Sequence, residues 1–358
     1  MAGDGTSCSF LNECCLPPNI RDTNHPIRPQ LQQVRRLNCY FITRFSITMH
    51  TAIGRRSILK TSVACLCAWE GLRDHSRVYI PYVRTGCGWR NSNGLGFRIT
   101  GNKDNEAEFG EFPWMVAVLR REPINEYQSI FMYVGGGSLI HPSVVLTAAH
   151  IINSTYLRVR AGEWDTGTER ELYQYQERDV AEVEIHEKFN RANLYYDAAL
   201  LFLQKPMDLA PNVGLACIPR PEEFLNPNMD CFATGWGKDK FGRNGQYQNI
   251  LKKVDLRIVP HDTCEALLRR TRLNKYFNLH SSFICAGGEP NKDTCTGDGG
   301  SPLVCPIQRY RQVGLVSWGI DCGLPGVPAA YGDVAKFGDW IDRRVAQRGY
   351  DTSVYRYS

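Results

Sequence analysis

Three short stretches of the 358-residue chain carry side chains that could cooperate in acyl transfer. His150 closes the run Leu-Thr-Ala-Ala-His, and Asp197 lies within Tyr-Asp-Ala-Ala-Leu-Leu. The third stretch, residues 293–303, reads Asp-Thr-Cys-Thr-Gly-Asp-Gly-Gly-Ser-Pro-Leu. In nucleophilic catalysis a histidine takes the proton of a serine hydroxyl, and a carboxylate holds that histidine in the right tautomer. These groups need to be close only in space, so their wide separation in sequence is expected.

A His, an Asp and a glycine-rich turn in this order resemble the chymotrypsin-like serine proteases. The Thr-Gly-Trp-Gly run around Trp236 and the Ser-Trp-Gly run at 317–319 match the same family. The resemblance covers roughly residues 87–345. A lone His or Asp is usually structural, but five motifs in the family's order are hard to obtain by chance. The resemblance implies that His150 is the general base and that Asp197 orients it.

The nucleophile position departs from the family. Where the family has Gly-Asp-Ser-Gly-Gly-Pro, this chain has Gly-Asp-Gly-Gly-Ser-Pro, so Gly299 replaces the serine. No acyl-enzyme can form on a glycine, although the amides of Gly297 and Gly299 could still form an oxyanion hole. Ser301 is the alternative nucleophile, two residues further on. A misplacement of even about 1 Å costs about 10²-fold in rate, which argues against it.

The specificity pocket is half retained. Asp293 aligns with the acid at the pocket floor of trypsin-like members, and Ser317 and Gly319 match one wall. On the other wall Ala329 replaces a glycine, which adds a methyl group. The resemblance thus implies a narrowed pocket for Lys or Arg; the alternative is that Asp293 is only a surface or salt-bridged acid.

Activation is altered as well. In active relatives a new Ile or Val amine pairs with the Asp before the nucleophile, here Asp298. Arg98-Ile99-Thr100-Gly101 resembles the cleavage site, but the run from Ile99 to Ala107 is two residues longer than in the family. A new Ile99 amine is therefore not expected to reach Asp298 in the usual register. The alternative is that this segment is a simple surface linker.

The resemblance also implies four disulfides. The pairs are Cys87–Cys217, Cys231–Cys305, Cys264–Cys285 and Cys295–Cys322. A further family bridge beside the general base is missing at both ends, where Gly135 and Ile151 stand. That loss is tolerable if the base is no longer used.

Composition narrows the class of protein and its compartment. Fourteen scattered cysteines suggest disulfides in an oxidising compartment, and the sequon at Asn153 agrees with secretion. The net charge of +5 is mild, and no 18-residue apolar stretch occurs, so neither nucleic acid nor a membrane is expected as a partner. The amino terminus does not read as a signal peptide. No metal or cofactor motif is found, so none is predicted.

The elements that must position these residues are short strands. Apolar, β-branched runs separated by turn residues occur at 114–119, 138–146, 181–185, 199–203, 251–259 and 312–318. Residues 334–347 instead show helical spacing of apolar positions. Short strands separated by turn residues predict an all-β barrel or sandwich, followed by a carboxy-terminal helix. The resemblance to the chymotrypsin-like serine proteases implies that this all-β fold consists of two six-stranded antiparallel barrels.

Residues 1–86 differ from the rest. Cys8 and the pair Cys14-Cys15 resemble the end of a clip domain, so we interpret 1–15 as a truncated clip end. Residues 16–86 are expected to be a poorly ordered linker or insertion, and 87–358 the protease-like domain. The whole chain is most similar to the arthropod clip-domain serine protease homologs, and the Gly-Asp-Gly-Gly-Ser-Pro run is their form of the nucleophile motif.

That resemblance implies a secreted haemolymph protein without catalysis. It would be a regulatory cofactor in prophenoloxidase activation and melanisation, with clip-domain proteases or prophenoloxidase as partners; self-association is left open. Two alternatives remain: an active trypsin-like endopeptidase that uses Ser301, and an adhesion or pattern-recognition protein.

Overall fold

The computed structural model describes residues 85–96 and 105–356, except for positions 126, 155, 222, 224, 225, 228, 241 and 243. All described residues belong to one compact unit, residues 79–358. The expectations for the clip end and for most of the linker therefore lie outside the described residues, as do Arg98 and Ile99.

The first six strands close into one antiparallel barrel in the order β1-β2-β3-β6-β5-β4. They are β1 (Met115–Pro123), β2 (Ser129–His141), β3 (Val144–Thr147), β4 (Leu157–Ala161), β5 (Gln176–Ile185) and β6 (Ala199–Leu203). Alternating burial along a strand is typical of a sheet with one face in a core. In β4, Leu157, Val159 and Ala161 are buried while the two arginines between them are half-buried.

The next six strands form a second closed antiparallel barrel in the order β10-β11-β12-β9-β8-β7. They are β7 (Asp230–Gly235), β8 (Lys252–Val259), β9 (Phe283–Ala286), β10 (Pro302–Ile307), β11 (Arg309–Trp318) and β12 (Ala329–Asp333). The predicted pair of six-stranded barrels is confirmed. Closure leaves no unpaired sheet edge along the barrel wall.

The prediction of a single strand from the apolar run 138–146 is wrong. Residues 138–146 split between the end of β2 and the whole of β3, which pair with each other through a tight turn at Pro142 and Ser143. Both halves are buried, so their apolar character hides the turn. Proline has no N–H to donate to a ladder, which is the local reason that the strand ends there.

Two helices accompany the barrels. The predicted carboxy-terminal helix is present as α2 (Val334–Ala346), and the Asp333 side chain caps it by accepting from the Ala335 N–H at 3.2 Å. Phe337, Trp340 and Ile341 are buried with first-barrel residues. The sequence did not reveal α1 (His261–Leu268), because only Cys264 and Leu268 in its eight residues are buried.

Four disulfides join Cys87 to Cys217, Cys231 to Cys305, Cys264 to Cys285 and Cys295 to Cys322. These are the pairs that the resemblance implies. Among the described residues, no helix is both long and apolar enough to cross a bilayer.

Candidate functional site

His150 lies on a single 3₁₀ turn, Ala149–Ile151, directly after β3. Its backbone N–H donates to Asp197 Oδ1 at 2.8 Å, and its ring Nδ1 is 2.7 Å from Asp197 Oδ2. Asp197 directly precedes the buried Ala198 and strand β6, and it is completely buried. The first barrel thus brings together an imidazole and a carboxylate that are 47 residues apart in the chain.

The second barrel completes the surroundings of this carboxylate. The Ser317 hydroxyl, near the end of β11, donates to Asp197 Oδ2 at 2.6 Å. Asp197 therefore accepts a backbone amide and a hydroxyl in addition to its imidazole contact. Sequence reasoning placed Ser317 only in a pocket wall. Its bond to Asp197 arises from the packing of the two barrels, which spacing in the sequence does not reveal.

Gly299 faces the imidazole directly. A Cβ built at this position would lie 2.5 Å from His150 Nε2 and 3.1 Å from Ile151 Cγ2. The first distance is shorter than real Cβ contacts, so the imidazole occupies the space that a side chain at this position would need. The arrangement pairs an imidazole with a buried carboxylate, and only backbone faces the ring at Gly299.

Ser301 lies away from this contact. It is completely buried, and its Oγ is only 2.0 Å from the place that a Cβ on Gly136 would take. The hydroxyl is therefore packed against strand β2. The backbone of Ser301 is fixed as well, because its N–H donates to the Asp298 carbonyl at 2.9 Å and its carbonyl accepts from Val316 at 3.0 Å.

The position of the missing bridge has been filled by close packing. A Cβ at Gly135 would lie 2.5 Å from the Gly299 carbonyl oxygen and 2.8 Å from Ile151 Cδ1. Next to it, the Gly136 N–H donates to that same Gly299 carbonyl at 3.0 Å. The absence of a side chain at Gly135 thus allows β2 to approach the glycine-rich turn.

Arg191 provides a second attachment for the turn that carries His150. Its guanidinium donates to the carbonyl oxygens of His150 at 3.3 Å and Ile152 at 2.9 Å. Sequence reasoning missed this residue, since an arginine 41 positions away carries no local signal of the contact.

Asp298 is buried, and it accepts the N–H of Gly237 through Oδ1 and that of Cys295 through Oδ2, both at 2.9 Å. Burial raises the pKa of its carboxyl to about 6, and the two amides oppose that rise. The Asp298 carboxyl can lie this close to residues 235–237 only because two of them are glycines. A Cβ at Gly235 or Gly237 would lie 2.1 or 2.4 Å from Asp298 Oδ1.

Asp293 shares a cavity of about 510 Å³ with Asp298. It accepts the N–H groups of Thr294 at 2.8 Å and Gly323 at 3.0 Å, and it forms no ion pair with any residue that the structure describes. Burial raises its pKa to about 6, and the charge on Asp298 adds to the rise. The salt bridge considered from the sequence is therefore not seen between the described residues.

The remaining candidates lie around this centre. The Ala329 Cβ is 3.7 Å from where a Cβ on Gly319 would be, so the added methyl faces the opposite wall. Gly297 has a φ of +98°, which favours glycine, and the Tyr247 ring packs closely against it.

Asn153 is exposed two residues after the His150 turn. Within the described ranges, no cluster of three or more His, Cys, Asp or Glu side chains could hold a metal ion.

Comparisons with known proteins agree with this architecture. The family model described as Trypsin matches residues 102–341. "Phenoloxidase-activating factor 2" of Galleria mellonella is 60% identical over 76% of this chain and 93% of its own length. "Inactive CLIP domain-containing serine protease A8" of Anopheles gambiae is 41% identical over 74% of this chain and 72% of its own. "Inactive CLIP domain-containing serine protease A28" of the same mosquito is 34% identical over 76% and 71%. The chain therefore belongs to the trypsin family, among its clip-domain serine protease homologs.

Proposed function

We propose that this protein is a catalytically inactive serine protease homolog that serves as a regulatory cofactor in prophenoloxidase activation and melanisation. The observation that carries the proposal is the absence of a side chain at Gly299, where the family has its nucleophile, with His150 Nε2 only 2.5 Å from the place that a Cβ on Gly299 would take. The names of the similar proteins support the pathway, since one is a phenoloxidase-activating factor and two are described as inactive.

Loss of the nucleophile removes covalent catalysis, while a base, an acid and an oxyanion hole alone give only residual hydrolysis. The burial of Ser301 against Gly136 weighs against its use as a substitute. The cleft therefore no longer hydrolyses peptides, and the barrels provide a surface for binding. Prophenoloxidase and clip-domain proteases are the proposed partners.

Location and processing belong to the same proposal. Four disulfides suit an oxidising compartment, so we place the protein in the haemolymph, with a glycan on the exposed Asn153. Upstream proteases would cut the chain near Arg98. The Ile99 amine created there would not restore catalysis, because the nucleophile is absent.

Reconstitution tests the proposal. The secreted protein is combined with purified prophenoloxidase and its activating protease, and phenoloxidase activity is compared with that of a mixture lacking the homolog. We expect a clear increase. The homolog alone should neither cleave an Arg substrate nor react with a fluorophosphonate probe.

Covalent labelling of Ser301 by the probe would contradict the proposal and favour the active-protease alternative. An unchanged phenoloxidase activity, together with tight binding to bacteria or β-glucan, would instead favour the adhesion protein.

A further inference from the structure

One surface segment concentrates positive charge, most of which no carboxylate of the described residues neutralises. Between Glu265 and Glu289 the chain contains no Asp or Glu. The same stretch carries Arg269, Arg270, Arg272 and Lys275. It follows α1 as a series of tight turns, in which the Asn274 N–H donates to Thr271 and the Phe277 N–H to Asn274, each at 3.2 Å. These turns keep the four cations within one short, compact stretch of chain.

Within the part of the chain that the structure describes, only one of these four cations is neutralised. Arg269 pairs with Glu265 at 2.6 Å and also donates to the Phe277 carbonyl. Arg270, Arg272 and Lys275 are exposed, and none forms an ion pair with any residue in the described part of the chain.

The helix α2 shows that this is not a general property of the surface. Its last turn and the residues after it carry three arginines, all paired with carboxylates of the β5 region. These pairs are Arg343–Glu187, Arg344–Glu184 and Arg348–Glu184. By contrast, Arg270, Arg272 and Lys275 have no carboxylate partner among the residues that the structure describes.

A neighbouring loop extends the positive surface. Tyr195 stacks on His280 with ring centroids 3.9 Å apart, which joins the loop before Asp197 to the segment after α1. That loop exposes Lys188 and Arg191, neither of which pairs with a carboxylate among the described residues. Its own acid, Glu187, pairs with the arginines of α2.

We call these five cations the basic rim: Lys188, Arg191, Arg270, Arg272 and Lys275. Two contacts place the segments that carry the rim next to the His150 site. Arg191 holds the turn of His150, and Phe277, which follows Lys275 in the chain, packs edge-on against Trp318, the residue after Ser317, with ring centroids 6.0 Å apart. A partner bound to the rim would therefore lie beside the cleft.

We propose that the basic rim is the docking surface for an acidic segment of a protein partner, an inference that rests on the cofactor function proposed above. Like charges held together without acids repel one another, and a run of Asp and Glu side chains would relieve that repulsion. Arginine also binds carboxylates in a bidentate manner. Tyr276, whose side chain is 78% exposed beside Lys275, offers an additional ring contact to a peptide.

A charge-reversal variant tests the rim. Arg270→Glu, Arg272→Glu and Lys275→Glu are combined in one protein. The control combines Arg170→Glu, Lys205→Glu and Arg220→Glu, three exposed cations in other segments that give the same change in net charge. Affinity for prophenoloxidase and for clip-domain proteases is measured by biolayer interferometry at low and high salt, after the unfolding midpoints are shown to match.

We expect the rim variant to bind about tenfold more weakly or worse, and to lose most of the salt dependence of the wild type. The control should bind like the wild type. Equal weakening in both variants, or in neither, would overturn the rim as the docking surface.

A synthetic peptide of alternating Glu and Gly separates this inference from the cofactor function. If the wild type binds no prophenoloxidase or protease but binds the peptide through the rim, the cofactor function fails and the rim stands. If the peptide does not bind, the inference is wrong. It is also wrong if the rim substitutions weaken binding to heparin, a polyanion used for comparison, but not binding to the peptide.

Discussion

At the scale of single residues, the cleft is defined by His150 and by the lack of a side chain at Gly299, beside which the imidazole lies. Asp197 still holds the imidazole through two hydrogen bonds, one from the ring and one from the backbone. The ring then lies so close to Gly299 that a side chain there would displace it. The cleft thus holds the imidazole firmly, and it leaves no room for a side chain at Gly299 unless the ring moves.

This packing predicts that Gly299→Ser will not restore a protease. The new Cβ would overlap His150 Nε2, and the ring would have to move away from its productive geometry. We expect kcat/KM for an Arg ester at least about 10³-fold below that of a trypsin-like enzyme. Gly299→Ala is the matched control, with the same steric change and no hydroxyl. Robust hydrolysis by the serine variant alone would show that the site is intact after all.

The raised pKa values of the buried Asp298 and the half-buried Asp293 predict a pH dependence of stability. Both pKa values rise from 3.8 to about 6 on folding, so the folded state binds protons more tightly. Their contribution to the free energy of unfolding is complete below pH 4 and is lost as the pH rises through 6. For Asp298 the loss is about 3 kcal/mol.

Guanidinium unfolding of the disulfide-intact protein between pH 4 and pH 7.5 measures this. A variant with Asp293→Asn and Asp298→Asn should show a flatter profile over that range. A slope identical to that of the wild type would contradict the assignment to these two groups.

At the scale of elements, the turn that carries His150 is attached in ways that replace the missing bridge. Ile151 fills the space beside Gly135, β2 hydrogen-bonds to the glycine-rich turn through Gly136, and Arg191 holds two carbonyls of the turn. A disulfide resists separation covalently, whereas these contacts depend on close approach. The element therefore tolerates the lost cysteines but becomes sensitive to added volume.

Gly135→Ala should accordingly destabilise the fold. Its methyl would lie 2.5 Å from the Gly299 carbonyl oxygen, which belongs to the backbone and cannot rotate away. We expect a loss of about 1–3 kcal/mol in the free energy of unfolding. Gly319→Ala serves as the control, because its nearest neighbours would be at 3.5 and 3.7 Å. Similar unfolding midpoints for the two variants would argue against the tight approach at Gly135.

At the scale of the whole molecule, the two barrels divide the site between them. His150 and Asp197 come from the first barrel, while Gly299 and Ser317 come from the second. The segment at residues 85–96 is fastened to this body by the Cys87–Cys217 disulfide and by backbone bonds from Gly88 to Leu215 and from Tyr310 to Gly88.

This attachment predicts the outcome of processing at Arg98. Because Cys87 lies before the cut and Cys217 after it, the two fragments should migrate together without reductant and separate with it. Gel electrophoresis of the cleaved protein, with and without dithiothreitol, measures this. The double variant Cys87→Ser and Cys217→Ser should release the amino-terminal fragment under both conditions. Release from the native protein without reductant would contradict the tether.

The sequence by itself indicated an all-β fold and predicted the carboxy-terminal helix, from apolar runs between turn residues and helical spacing from Val334 to Val345. The resemblance to a known family, carried by motifs of a few adjacent residues, implied the paired barrels and the candidate residues of the cleft. Local patterns did not reveal the turn at Pro142, because the residues on both sides of it are apolar. They did not reveal the short helix α1 either, because its apolar positions are too few to show a period.

The tertiary structure alone decided how these residues meet. The Ser317 bond to Asp197, the Arg191 contacts with the His150 turn and the fit of Ile151 against Gly135 join segments far apart in the chain. Distances of this kind depend on how two barrels pack, and no spacing in a sequence encodes them. The sequence therefore named the missing serine, and packing showed that the imidazole now occupies the space its side chain would need.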